Sequence, residues 1–103
     1  MAEILVKFDE AIAGEDGQRY FAQAAARGRE DRLWEGWLEF LPESGDAEIL
    51  VSERETTQPN RVDLEYWAQG LSQVYLEGAL HRAAMQATGS RRERISQRPA
   101  FDR

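Results

Sequence analysis

The sequence predicts an α+β fold in which a four-stranded antiparallel meander carries one long C-terminal helix on one of its faces. Two observations predict this fold. Residues 3–55 contain segments of alternating apolar and polar residues, and residues 61–87 form one continuous amphipathic segment. Alternation with a period of two is typical of strands, and apolar spacing of three and four residues is typical of a helix. We expect the helix to bury its apolar stripe on the strands that precede it.

Four segments alternate in this way, and residues that form turns, mainly Gly, Asp and Pro, separate them. The predicted strands are residues 3–8, 18–27, 33–41 and 47–55. Because each connection is short, we expect the strands to pair in sequence order.

Two of these strands carry the clearest facial pattern. In the first strand, Ile4, Val6 and Phe8 share one side. In the third strand, the side that carries Trp34, Leu38 and Phe40 is expected to face the core. Trp37 then lies between two glutamates on the opposite, wetter side, which is a plausible contact surface.

The helix has a strong start signal. Asn60 is a good N-cap, and Asp63 follows three residues later, where an acid complements the exposed N–H groups. The helix is predicted from Arg61 to about Ala87. The stripe expected to cover the sheet is Leu64, Trp67, Ala68, Leu71, Val74, Tyr75 and Gly78.

The predicted helix is longer than the strands. It would run roughly 40 Å, against about 27 Å for an eight-residue strand, so its last turns should overhang the sheet. The residues expected to meet a second copy of the chain there are Leu76, Leu80, Ala83 and Ala84. The alternative is that the chain folds back over them through Ile95 and Phe101.

Charge divides the chain into two parts. Residues 1–87 carry 8 basic and 17 acidic side chains, whereas residues 88–103 carry 5 and 2. We expect residues 1–87 to form a single ββββα domain, and residues 88–103 to be a basic, disordered tail. The acidic body disfavours binding to nucleic acid, and contact through the tail alone is a weaker alternative.

The composition also bears on location. There is no cysteine, which fits a reducing compartment, and we expect a cytoplasmic protein. No segment approaches the roughly 20 apolar residues that span a bilayer, and the N-terminus has acids where a secretory signal needs basic residues. We therefore expect no contact with membranes.

No motif of catalytic or metal-binding spacing is present. His81 is the only histidine, so no pair of imidazoles can hold zinc. Glu35 and Glu39 share a strand face, but acids placed in this way usually form a solvent-exposed surface. We expect no enzymatic activity, no metal and no cofactor.

Polar side chains crowd the junction between the last strand and the helix, which we call the corner. Its candidate binding residues are Arg54, Glu55, Thr57, Gln58, Asn60 and Arg61. The N–H groups of a helix start, with an arginine on each side, would suit an anion or a carboxylate. The alternative is that these side chains only cap the helix and lock the corner.

Three strings resemble those of a family of short, uncharacterised bacterial proteins known as a domain of unknown function. The strings are WEGWLEF at residues 34–40, RETTQPNR at residues 54–61 and YWAQGLSQVYLEGAL at residues 66–80. The resemblance implies a bacterial source and a small stand-alone domain, with no activity or ligand to carry over.

Two functions follow as hypotheses. The first is a non-enzymatic protein-binding or adaptor module that self-associates as a homodimer, through the helix overhang or a sheet edge, or binds another protein. The second is a binder of a small molecule or anion at the corner, with Trp37 or Trp67 as an apolar wall.

Overall fold

The computed structural model describes residues 2–45 and 48–101, and it describes side chains in the last helix as far as residue 87. The described residues form six strands and two helices. In chain order these are β1 (Glu3–Lys7), β2 (Ile12–Ala13), β3 (Arg19–Gly28), β4 (Trp34–Pro42), β5 (Leu50–Val51), β6 (Thr56–Gln58), α1 (Arg61–Gln69) and α2 (Gln73–Phe101).

The strands form one antiparallel sheet around the long pair β3 and β4. The strand order is β1-β3-β4-β5, while β2 also pairs with β3 and β6 also pairs with β4. The α+β class and the antiparallel meander are confirmed. The prediction of four strands is wrong, because two short strands, β1 and β2, pair with β3, and two more, β5 and β6, pair with β4.

The break between β5 and β6 is organised by Ser52, whose side chain is buried. The Ser52 hydroxyl accepts a hydrogen bond from the N–H of Leu38 at 3.0 Å, and the N–H of Ser52 donates to the Leu38 carbonyl at 2.8 Å. The N–H of Glu55 then donates to the Gly36 carbonyl at 2.8 Å. The two residues between Ser52 and Glu55 therefore bulge outward, which interrupts the strand predicted at residues 47–55.

A second irregularity occurs in β1. Ile4 is opposite Ala25 and Val6 is opposite Ala24, so Leu5 is an extra residue in this strand. Such a bulge reverses the side on which the preceding residues lie. Ile4 is 40% exposed and shares the side of Ala25, not the side of Val6. The prediction that Ile4 shares a face with Val6 and Phe8 is wrong for this reason.

The core lies between one face of the sheet and the two helices. Leu38 and Phe40 of β4 are fully buried there, and Trp34 is half-buried, which confirms the predicted core side of this strand. From α1, Leu64 and Ala68 pack onto the same face. Gly36 lies directly beneath α1, because a Cβ built on it would be 2.8 Å from a methyl group of Leu64.

The helical region is not one continuous helix. Helix α1 is capped by Asn60 as predicted, but it ends at Gln69, and Gly70 donates its N–H to carbonyls of the preceding turn. The Ser72 hydroxyl accepts from the N–H of Tyr75 at 3.1 Å and caps the start of α2. Gly70 and Ser72 are together the local cause of the break.

The break changes which residues of the second helix face the sheet. Val74 belongs to the predicted stripe, yet it is 75% exposed. Leu76, Leu80 and Ala83 are instead 2%, 2% and 4% exposed, in the core with the strands. The prediction that these three overhang the sheet and remain free for a partner is therefore wrong. Ala84, the fourth predicted interface residue, is half-buried.

Helix α2 extends to Phe101. The side chains of residues 88–101 lie outside the description, so the basic tail and its contacts through Ile95 and Phe101 stay predictions. Neither helix, over its described residues, is long and apolar enough to cross a membrane.

Candidate protein-binding face

Both helices pack on the core side of the sheet, and the opposite side, which we call the open face, carries a separate set of side chains. Its centre is formed by four pairs directly opposite one another in β3 and β4. The pairs are Arg27 with Glu35, Ala25 with Trp37, Gln23 with Glu39, and Phe21 with Leu41. Ile4 and Lys7 of β1 and Val51 of β5 lie at its edges, because they are in register with these central residues.

Trp37 is held in place by its polar neighbours. The Glu39 carboxylate accepts one hydrogen bond from the Trp37 indole N–H at 3.0 Å and another from the Gln23 amide at 2.8 Å. Each oxygen of the carboxylate takes one of these bonds. On the other side, the Arg27 guanidinium lies 5.6 Å from the centre of the indole ring, within the range of a cation–π contact. The indole is therefore fixed from two directions.

Arg27 also joins the network to Glu35. Its Nε and a terminal nitrogen donate to one Glu35 oxygen at 3.1 and 2.5 Å. These hydrogen bonds are the main reason that the pKa of Glu35 lies below its ordinary value. The positive charges of Arg27, Arg29 and Arg54 add to the lowering, and partial burial of the carboxyl opposes it. Glu35 therefore stays ionised to lower pH than a free glutamate.

Large apolar side chains surround this polar network. Ile4, Phe21 and Val51 are 40%, 37% and 51% exposed, and Trp37 and Leu41 are half-buried. An aromatic residue held rigidly among exposed apolar groups and paired charges is typical of a surface that binds another protein. The sequence predicted Trp37 on this side; Phe21 and Val51 needed the strand register to be assigned.

The corner residues beside α1 have structural partners. The Asn60 side chain accepts from the N–H of Asp63 at 2.8 Å. Arg61 donates to Glu3 at 2.6 Å, and the Gln58 amide donates to Thr56 at 2.8 Å. The first contact caps α1, the second joins α1 to β1, and the third lies within β6.

The remaining corner residues point to different sides of the sheet. Glu55 faces α2, where its carboxylate accepts from the Tyr75 hydroxyl at 2.5 Å and from Arg82 at 2.6 Å. Thr57 is opposite Glu35 on the open face, and Arg54 is exposed in the bulge. Burial and the Glu55 carboxylate raise the pKa of Tyr75. The structure thus does not bring the six predicted corner residues together at one pocket.

A groove of about 740 Å³ lies on the helix side, between the turn after β2, strand β5 and helix α2. Its apolar lining includes Tyr20, Leu50, Leu80 and Met85. Its polar rim consists of Glu15, Asp16, Glu48, Glu77 and His81. The His81 Nδ1 is 3.2 Å from a Glu15 oxygen. Sequence reasoning missed this groove, because only the tertiary fold brings the first turn beside α2.

Within residues 2–45 and 48–87, no three His, Cys, Asp or Glu side chains gather as a metal site. Comparisons of this chain with protein-family models, curated proteins and solved structures gave no match. The resemblance to the bacterial family therefore stays a prediction.

Proposed function

We propose that this protein is a non-enzymatic protein-binding module that self-associates through the open face of its sheet. The observation that carries the proposal is the group of exposed apolar side chains around Trp37, on the face opposite the two helices. Burying such groups is the main favourable contribution to association. The ion pair and hydrogen bonds among them supply the fixed polar contacts that give an interface its register.

We propose binding because the polar groups at the centre of this face are engaged with one another. Glu39 is bonded to Gln23 and Trp37, and Glu35 is bonded to Arg27. Partners of this kind hold side chains in single conformations, which lowers the entropy lost when a second surface docks. A general acid or base would instead need a reactive group aimed at a substrate.

A matched pair of substitutions tests the proposal. Val51→Lys places a charge on the open face, where Val51 is 51% exposed, and Val62→Lys makes the same change on α1, where Val62 is 70% exposed. Both variants should keep the circular dichroism spectrum of the unmodified protein. Light scattering after size exclusion should show a dimer for the unmodified chain and for Val62→Lys, and a shift towards monomer for Val51→Lys.

Two outcomes would count against the proposal. An unmodified chain that stays monomeric at every concentration would contradict self-association. A dimer that both variants retain equally would show that the contact lies elsewhere.

A second candidate function is the binding of a small cationic molecule, and the groove supports it better than the corner does. The volume of the groove is within the range of small-molecule sites, and its rim has four carboxylates above an apolar floor. A flat or aliphatic cation would match both features. The corner lacks this convergence, because Asn60, Arg61 and Glu55 each have partners within the fold.

Agmatine, an aliphatic chain with a guanidinium at one end and an ammonium group at the other, is a suitable probe of the groove. Amide NMR shifts should be confined to the first turn and α2, and Glu77→Gln should weaken them. Glu30→Gln, at the turn between β3 and β4, is the control of equal charge. Shifts spread over the whole acidic surface, or shifts unaffected by Glu77→Gln, would rule this candidate out.

A further inference from the structure

We infer that the partner on the open face is a second copy whose two-fold axis runs parallel to the strands, midway between β3 and β4. The inference rests on the proposed function and gives it a specific geometry. It follows from the register of the central strand pair and from the charges and sizes of the residues that this register places opposite one another.

A closed dimer places the same surface of both copies in contact through a two-fold axis. When the axis lies between β3 and β4 and parallel to them, rotation exchanges the two strands. Each open-face residue of β3 in one copy then lies over the β4 residue with which it is paired within its own sheet. The contacts between the copies can therefore be read from the strand register.

The resulting contacts are complementary in charge. Arg27 of one copy lies over Glu35 of the second copy, and the same contact occurs again on the other side of the axis. Gln23 lies over Glu39, a donor over an acceptor. The ion pair already present within each sheet would thus become part of a network of four charges, which is a favourable arrangement at an interface.

The contacts are also complementary in size. Ala25 is buried and has a small side chain, so the face is shallow at this position. Trp37 of the second copy lies over it. Packed sheets are separated by about 10 Å, which leaves room for a large side chain opposite a small one. The two indoles then lie side by side across the axis. Phe21 lies over Leu41, so that the apolar end of each face is covered by the apolar end of the other.

The other simple two-fold axis in this plane gives a poorer match. An axis perpendicular to the strands, between the rows of Trp37 and Glu39, would place Arg27 over Phe21. It would also place Glu35 over Leu41 of the second copy. Both charges would then be covered by apolar side chains without gaining a partner, which is costly. The observed register therefore favours the axis parallel to the strands.

Charge reversal tests this geometry. In a dimer of Arg27→Glu, two glutamates face each other at each of two places, and in a dimer of Glu35→Arg two arginines do so. Each variant alone should dimerise at least about tenfold more weakly than the unmodified chain. When the two are mixed, every contact between the copies pairs opposite charges, so native mass spectrometry should show the heterodimer as the dominant dimer.

The double variant R27E/E35R guards against a simple loss of folding. It restores the ion pair both within each sheet and between the copies, so it should dimerise by itself. The control is the pair Arg61→Glu and Glu3→Arg, which makes the same charge reversals in an ion pair on the helix side. These controls should dimerise like the unmodified chain, and their mixture should show no preference for the heterodimer.

The outcomes separate this inference from the proposed function. If Val51→Lys disrupts the dimer but the two charge-reversed variants form no preferred heterodimer, the open face is the interface and the inferred axis is wrong. If the unmodified chain is monomeric, both fail.

Discussion

Gly36 provides a sharp test of how the first helix packs on the sheet. This residue is buried in β4, directly beneath α1. A methyl group added there would lie 2.8 Å from Leu64 Cδ1 and 3.3 Å from a ring carbon of Trp67. Carbon atoms in favourable contact are about 3.5 to 4.0 Å apart, so α1 or its side chains must move by a sizeable fraction of an ångström.

The expected cost of Gly36→Ala combines two opposing effects. Overpacking a well-filled core costs about 1 to 3 kcal/mol. Replacing glycine by alanine reduces the entropy of the unfolded chain and returns about 0.4 to 1 kcal/mol. The difference spans about 0 to 2.6 kcal/mol, and from its middle we expect the free energy of unfolding to fall by about 1 to 2 kcal/mol. For a domain of this size, that corresponds to a fall in Tm of roughly 4 to 16 °C.

Thermal unfolding followed by circular dichroism, at one fixed protein concentration, measures this effect. Gly28→Ala is the matched control. Gly28 also lies in a long strand, but its added methyl group would be 3.4 Å from the nearest atom of Trp34, an ordinary contact. The control should be neutral or slightly stabilising. An equal, small effect of both substitutions would refute the close packing of α1 on β4.

Three further predictions concern other parts of the fold. Because Arg27 lowers the pKa of Glu35, the pair stabilises the fold at pH values above 4.5, the ordinary pKa of a glutamate, and this stabilisation is lost as the pH falls through the pKa of Glu35 in the folded protein. An NMR titration of the dilute Arg27→Gln variant should show the pKa of Glu35 returning towards 4.5. An unchanged pKa would be inconsistent with the pairing. Ser52→Ala should cost about 1 to 3 kcal/mol in urea unfolding, since it leaves the buried N–H of Leu38 without the hydroxyl it bonds, and a change under about 0.5 kcal/mol would argue against this bond. Asn60→Ala should cost about 1 kcal/mol in the same assay through loss of the helix cap, and no cost would contradict the cap.

The parts of the fold that sequence reasoning predicted depend on strong local patterns. Alternation located β4 and assigned Leu38 and Phe40 to the core, whereas β3 was located mainly by the turns that flank it. Asn60 was predicted as a cap from its position before a long amphipathic segment. Such features are encoded within a few neighbouring residues.

The errors arose where single residues interrupt a pattern. The extra residue Leu5 changes the face of Ile4, and Ser52 divides the last strand by replacing a backbone contact with its hydroxyl. Gly70 ends the first helix and Ser72 starts the second, and this break directs the side chains of Leu76 and Leu80 towards the core. Each of these interruptions involves only one or two residues. The apolar pattern continues at similar spacing before and after them, so the interruption is hard to see in the sequence.

The candidate site was predictable in part. The position of Trp37 between Glu35 and Glu39 indicated a tryptophan on the wetter face. Alternation also put Lys7, Gln23 and Arg27 on this face, and the strand register adds the exposed apolar residues Ile4 and Val51. The polar corner misled because residues close together in the sequence there lie on different sides of the sheet: Glu55 contacts α2, whereas Thr57 is opposite Glu35 on the open face.

The most direct test of self-association through the open face is the mass of the unmodified full chain in solution. Sedimentation equilibrium over a series of protein concentrations, beside Val51→Lys and Val62→Lys, measures it. We expect a mass that rises to twice the 11.8 kDa of one chain, and a rise that is weakened only by Val51→Lys. A mass of one chain at every concentration, up to the solubility limit, would contradict it.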